Sequence, residues 1–156
     1  MEITVASRGN RYTVEDKNQK TMYNVKKKGF GQRYVILDMN NYNLYTLIQT
    51  GDERRPFFSI VLNDDTFLKM ECKSMFLDPT MIATGKNMKY ELKSRDRKNF
   101  EIVFNEKSVG KIETKVGVTG DLQYDIEIDN KAFDDYIPLF AVAIDKAFGE
   151  MNKQKK

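Results

Sequence analysis

Histidine and tryptophan are absent from this chain of 156 residues, and cysteine occurs once. Without an imidazole there is no Ser-His-Asp or Cys-His apparatus, no histidine metal ligand and no imidazole pH switch. Zinc would lack nearly all its usual donors. The lone Cys72 cannot close an internal disulfide, and its neighbours Leu68 and Met70 predict a buried, unreactive thiol. Walker-type loops and dinucleotide fingerprints are missing, and Asp129-Asn130-Lys131-Ala132-Phe133-Asp134 lacks the glycine and terminal glutamate of a calcium loop. No apolar run approaches the roughly 20 residues of a membrane span. The start, Met1-Glu2-Ile3-Thr4-Val5-Ala6, has neither the basic region nor the apolar run of a signal peptide, which predicts a cytoplasmic protein. Together these absences predict a binding protein rather than an enzyme, with no cofactor and no metal. Paired carboxylates stay open as acid and base, but nothing nominates a pair.

What is present describes a globular protein. Hydrophobic residues make up 40% and charged residues 31%, a balance that suits one domain over residues 1–156 with a sizeable core. Period-two alternation between turn residues recurs along most of the chain. It predicts strands at Glu2–Val5, Arg11–Val14, Met22–Lys26, Arg33–Leu37, Asn43–Ile48 and Phe57–Leu62. Six more follow at Thr66–Cys72, Thr80–Thr84, Met88–Lys93, Phe100–Phe104, Val109–Lys115 and Tyr124–Asp129. Val103 interrupts the polar side of its strand.

The one helical stretch runs from Asp134 to Gly149. Asp134 or Asp135 is placed to cap its first amides, Pro138 fits the first turn, and Lys146 and the lysines after it suit the far end of the dipole. From Tyr136 to Ile144 no position is charged, so apolar side chains occupy every face. Such a helix is buried all round, and at roughly 14 Å its apolar length is too short to cross a bilayer. A helix lying on a sheet would keep a polar face. Twelve strands, by contrast, close into a barrel too wide for side chains alone to fill. The prediction is therefore a mainly β fold: a closed antiparallel barrel around a central hydrophobic C-terminal helix.

The chain resembles the tubby C-terminal-like superfamily in its LURP-one-related, bacterial-type branch, and more distantly the phospholipid scramblases. The resemblance is carried by Arg33-Tyr34-Val35-Ile36-Leu37-Asp38 leading to Leu44-Tyr45-Thr46-Leu47-Ile48, and by Ser108-Val109-Gly110-Lys111-Ile112. Tyr124-Asp125-Ile126-Glu127-Ile128 and Ala141-Val142-Ala143-Ile144-Asp145 complete it. It implies a twelve-stranded barrel around a hydrophobic helix, in a family that includes phosphoinositide binders. The calcium segment of the scramblases has no matching residues, and no tubby headgroup ligand maps onto a particular lysine. The resemblance also places an acidic residue near Asp145, which reads as a structural carboxylate bonded to backbone or paired with a base.

If the strands form a simple meander, turns after odd-numbered strands share one barrel end. Their charges sum to +7, against −3 for the opposite turns, within a net charge of +3. The candidate headgroup-binding residues are Lys26, Lys27, Lys28, Arg54, Arg55, Arg95, Arg97 and Lys98. Phe30, Pro56 and Phe57 set apolar groups beside these cations, a combination suited to anionic phospholipid or phosphorylated ligands at a membrane surface. Alternative readings are a structural or regulatory domain that binds a protein partner, solvated basic turns, and a small apolar ligand carrier. The carrier reading conflicts with a helix-filled interior and with the lack of tryptophan. A pI near 8.8 and aromatics at core positions argue against nucleic acid.

Overall fold

A computed structural model describes residues 1–52 and 54–153. Glu53, counted in the turn sum, and the lysines beyond Lys153 lie outside the described residues. The strands are β1 (Glu2–Arg8), β2 (Arg11–Asp16), β3 (Thr21–Lys27), β4 (Gln32–Leu37), β5 (Asn43–Asp52) and β6 (Arg55–Leu62). They continue as β7 (Asp65–Ser74), β8 (Thr80–Gly85), β9 (Met88–Ser94), β10 (Asn99–Phe104), β11 (Lys107–Val116) and β12 (Leu122–Ile128). Each pairs antiparallel with its sequence neighbours, and β1 closes on β12 from Glu2↔Glu127 to Ala6↔Gln123. The expected closed meander of twelve strands is therefore the observed fold.

Alternation explains the elements. In β12 the residues Leu122, Tyr124, Ile126 and Ile128 are buried inward while Asp125 and Glu127 face out. Several strands run further than their apolar pattern. β5 continues to Asp52 because Gln49, Thr50, Gly51 and Asp52 stay paired with Phe58, Phe57, Pro56 and Arg55 near the rim. Hydropathy stops marking a strand where both faces are wet, but the backbone ladder does not stop there. At Val103 the ladder to β11 shifts register: Ile102 pairs with Gly110 and Val103 with Ser108, which leaves Val109 of β11 as the extra residue of a bulge.

After a single 3-10 turn at Asn130–Ala132, helix α1 (Ile137–Lys153) runs back through the barrel. Every residue from Ile137 to Ile144 is buried, on all faces. Two of its ring contacts are to adjacent strands: Phe140 lies 4.9 Å from the Tyr90 ring of β9, and Phe148 lies 5.7 Å from Phe100 of β10. Fully burying one such side chain contributes about 1.5–3 kcal/mol, so the helix is a principal part of the core. Pro138 sits in the first turn as expected. The expected carboxylate cap is not formed: Asp135 accepts a hydrogen bond from the Tyr23 hydroxyl, and Asp134 accepts one from the Asp135 amide at 2.7 Å, ahead of the helix. The helix also continues past Gly149, where a Cβ would lie 2.8 Å from Asp145 Oδ1. A side chain there would crowd that carboxylate, and the glycine does not end the helix.

Candidate functional site at the basic end

Because the meander closes, the turns after β1, β3, β5, β7, β9 and β11 ring one mouth of the barrel, and α1 points its C-terminus toward it. All eight nominated cations belong to this mouth, on three of its turns. Lys26 and Lys27 end β3 and Lys28 begins the β3–β4 turn, while Arg54 and Arg55 sit on the adjacent β5–β6 turn. Arg95, Arg97 and Lys98 are separated from them by the β7–β8 turn. The structure thus brings Lys26, Lys27, Lys28, Arg54 and Arg55 onto neighbouring turns and sets the remaining three across the mouth.

Strand register adds residues that the sequence reading did not nominate. Arg8 pairs with Arg11, and Arg11 pairs with Lys26, so three cations stand abreast on the outer wall of β1, β2 and β3. Directly paired side chains have Cβ atoms about 4.5–5.5 Å apart, and like charges at that spacing destabilise the sheet. None of the ion pairs among the described residues involves these three; they join Lys73 to Glu71, Lys111 to Glu113 and Lys115 to Asp125. The signal was available in sequence only to someone who already knew the register.

Carboxylates inside two basic turns fold the turns themselves. Asp52 Oδ1 accepts from the amides of Arg54 at 2.9 Å and Arg55 at 3.0 Å. Arg55 Nε donates to the Cys72 carbonyl at 3.1 Å. Asp96 accepts from the amides of Lys98 at 2.9 Å and Asn99 at 2.8 Å, and from the Asn99 side chain at 2.9 Å. Partial burial pushes the Asp96 acid upward, but these bonds outweigh it and hold the group down at about 2. Arg97 donates its amide to Ser94 Oγ at 2.9 Å, and its carbonyl accepts from Asn152 Nδ2 of the helix at 2.9 Å. Arg97 Nε is buried and has no partner among the described residues.

Beneath the mouth, Asp145 is bound by two phenols: Tyr12 donates to Oδ2 at 2.5 Å and Tyr124 to Oδ1 at 2.6 Å. Burial, reinforced by the Asp145 charge, drives both phenols far above their ordinary range, so they remain donors. The carboxylate is structural, but its partners are tyrosines rather than backbone or a base. Lys146 lies 4.8 Å from the centre of the Tyr34 ring.

The same mouth carries large apolar side chains in water. Phe30 is 97% exposed, Phe76 71%, Leu77 85%, Val116 68% and Val118 107%. Only Phe30 among them was singled out from sequence, because the β7–β8 passage lacks regular patterning. On the outer wall, a groove of about 690 Å³ lined by Asp78, Lys93, Arg95, Glu101, Lys111 and Glu113 mixes both charge signs. It offers no single-sign site.

The chain is a closed barrel plugged by its own apolar helix; among the described residues no group of side chains is placed to hold a metal ion, and no helix is long and apolar enough to cross a membrane. The chain belongs to the LURP-one-related family, whose model matches residues 2–145. That family is generally non-enzymatic. A solved structure of a protein from Arabidopsis thaliana is similar over 97% of this chain and 90% of that one, at 16% identity and a TM-score of 0.45. No curated protein matches the chain.

Proposed function

We propose that this domain is a non-enzymatic binding module whose basic mouth takes phosphate-bearing anions, foremost the headgroups of anionic phospholipids. The observation that carries the reading is the row Arg8, Arg11 and Lys26, abreast on adjacent strands and continuous with Lys27 and Lys28. An anion seated across the row converts mutual repulsion into attraction, and each lysine or arginine near an anionic surface contributes about 1 kcal/mol. Carboxylates that fold the β5–β6 and β9–β10 turns keep those cations presented while offsetting part of their charge. A helix-filled interior leaves no room for a carried apolar ligand, and a cytoplasmic protein acting at the membrane surface fits the whole.

Co-sedimentation with vesicles of graded phosphatidylserine content, at low and near-physiological salt, tests the reading. Binding is expected to rise with anionic lipid, weaken with salt, and disappear in the variant Lys26→Glu, Lys27→Glu, Lys28→Glu without loss of thermal stability. Absence of binding at low salt sinks the lipid reading. Salt-insensitive capture of one defined protein would instead favour a protein-interaction domain.

A further inference from the structure

Every second turn around the mouth carries an apolar tip, and cations stand beside and between these tips. Exposed apolar side chains crown β3–β4 with Phe30, β7–β8 with Phe76 and Leu77, and β11–β12 with Val118 next to Val116. Lys26, Lys27 and Lys28 share the β3–β4 turn with Phe30, and between the apolar tips lie β1–β2 with Arg8 and Arg11, β5–β6 with Arg54 and Arg55, and β9–β10 with Arg95 and Arg97. In a ring of twelve strands, the apolar turns are each four strands from the next, one third of the circumference by strand count. We infer that the barrel docks end-on on an anionic lipid bilayer, inserting Phe30, Phe76, Leu77 and Val118 as three apolar feet with the basic turns between them at headgroup level. This rests on the anionic-lipid reading above and adds to it an insertion and an orientation.

Three separated contacts define a plane, and the plane of these feet is the barrel mouth. The helix that runs from one barrel end to the other is then directed across the membrane surface rather than along it. Gly29 and Gly31, with φ of +74° and +76°, flank Phe30 and set it at the tip of its turn, where nothing in the protein covers it. A protein partner would require a contiguous apolar patch with a polar rim, whereas here the apolar groups are divided by cations. A fluid bilayer accepts separate wedges and supplies phosphate between them. The opposite end also exposes Met39 and Tyr42, both on the single β4–β5 turn, and Met1 ahead of β1, without three apolar tips spaced around it.

The lack of native tryptophan makes the test direct. Phe30→Trp, Leu77→Trp and Val118→Trp each install one fluorophore in a foot, and Tyr42→Trp installs one at the far end. With vesicles of phosphatidylcholine and phosphatidylserine, all three foot variants are expected to shift their emission to the blue and to be quenched by acyl-brominated lipid, while Tyr42→Trp is unaffected. The combined variant Phe30→Ser, Leu77→Ser, Val118→Ser is expected to lose about ten-fold or more in vesicle affinity at near-physiological salt and keep its thermal stability. Sedimentation with vesicles but no blue shift overturns insertion and leaves the electrostatic reading standing. A shift at one foot alone overturns the end-on orientation. Failure to sediment at all overturns both readings and leaves the feet to a protein partner.

Discussion

Tyr12 and Asp145 lie 133 positions apart in sequence and are joined by a 2.5 Å hydrogen bond that ties β2 to the central helix. Tyr124 holds the other carboxylate oxygen, so the charge is satisfied from two strands at once. Removing one phenolic hydroxyl leaves a partly buried carboxylate short of a donor. Tyr12→Phe and Tyr124→Phe are each expected to lower unfolding free energy by about 1.5–3 kcal/mol. Urea denaturation of the single and double variants checks this, and the double should differ from the sum because one carboxylate serves both.

Phe140 is completely buried, with its ring edge-on to Tyr90 and Tyr136 at 4.9 and 5.8 Å. Phe140→Ala empties the centre of a bore that no strand can collapse to fill. A loss of about 3–5 kcal/mol in denaturant unfolding is expected.

Gly110 pairs with Ile128, and a Cβ on it would lie 2.2 Å from the Glu127 carbonyl oxygen and 2.8 Å from Ile128 Cα. Both obstacles are backbone, so neither can swing aside. Gly110→Ala is expected to cost at least the 1–3 kcal/mol or so typical of overpacking, read as a fall in melting temperature. An unchanged melting temperature would mean that β11 and β12 can part there without penalty.

Asp96 governs a pH window. In the unfolded chain the group titrates near 3.8, and in the folded chain at about 2. Between those values the unfolded state binds more protons, so stability falls as pH falls. The contribution is fully present above about 4 and is lost as pH drops through about 2. Melting temperature measured from pH 5 to pH 2 should decline, and Asp96→Asn should flatten the part of that decline carried by the β9–β10 turn.

Cys72 has no exposed surface, and burial is the main reason its thiol is pushed up to about 11; Arg55 opposes the shift and Glu71 adds to it. At pH 8 the native protein should therefore resist alkylation. Labelling is expected to track the unfolded fraction across a urea titration, and fast labelling without urea would show that β7 opens locally.

The barrel was legible because its strands alternate cleanly and its helix does not. A run such as Tyr124-Asp125-Ile126-Glu127-Ile128 announces one buried face, and Ile137 to Ile144 announces burial on every face. Closure follows from those two facts plus short turns. Less legible was anything fixed by position across strands: the row Arg8, Arg11 and Lys26 joins residues from three strands, and only pairing register reveals it. Of the apolar feet only Phe30 was legible; the others were missed for a different reason. Phe76 and Leu77 lie in a turn, where an apolar residue looks like a lapse in pattern until the topology shows Phe30 and Val118 at the same mouth. The helix start was misread locally, since Asp135 is drawn away by Tyr23, a tertiary partner that propensity cannot foresee.

The seam between β1 and β12 also bears on how the protein is made. Residues Glu2 to Ala6 find their second neighbour only at Gln123 to Glu127. During translation the first eleven strands can zip successively into a curling ribbon, but that ribbon keeps two raw edges until β12 leaves the ribosome. The plug follows later still, and it must be inside when the ribbon closes. Sealing therefore rests on a pairing of very long sequence separation, the kind of contact that slows folding, and before it forms both edges of the ribbon are open templates for another strand.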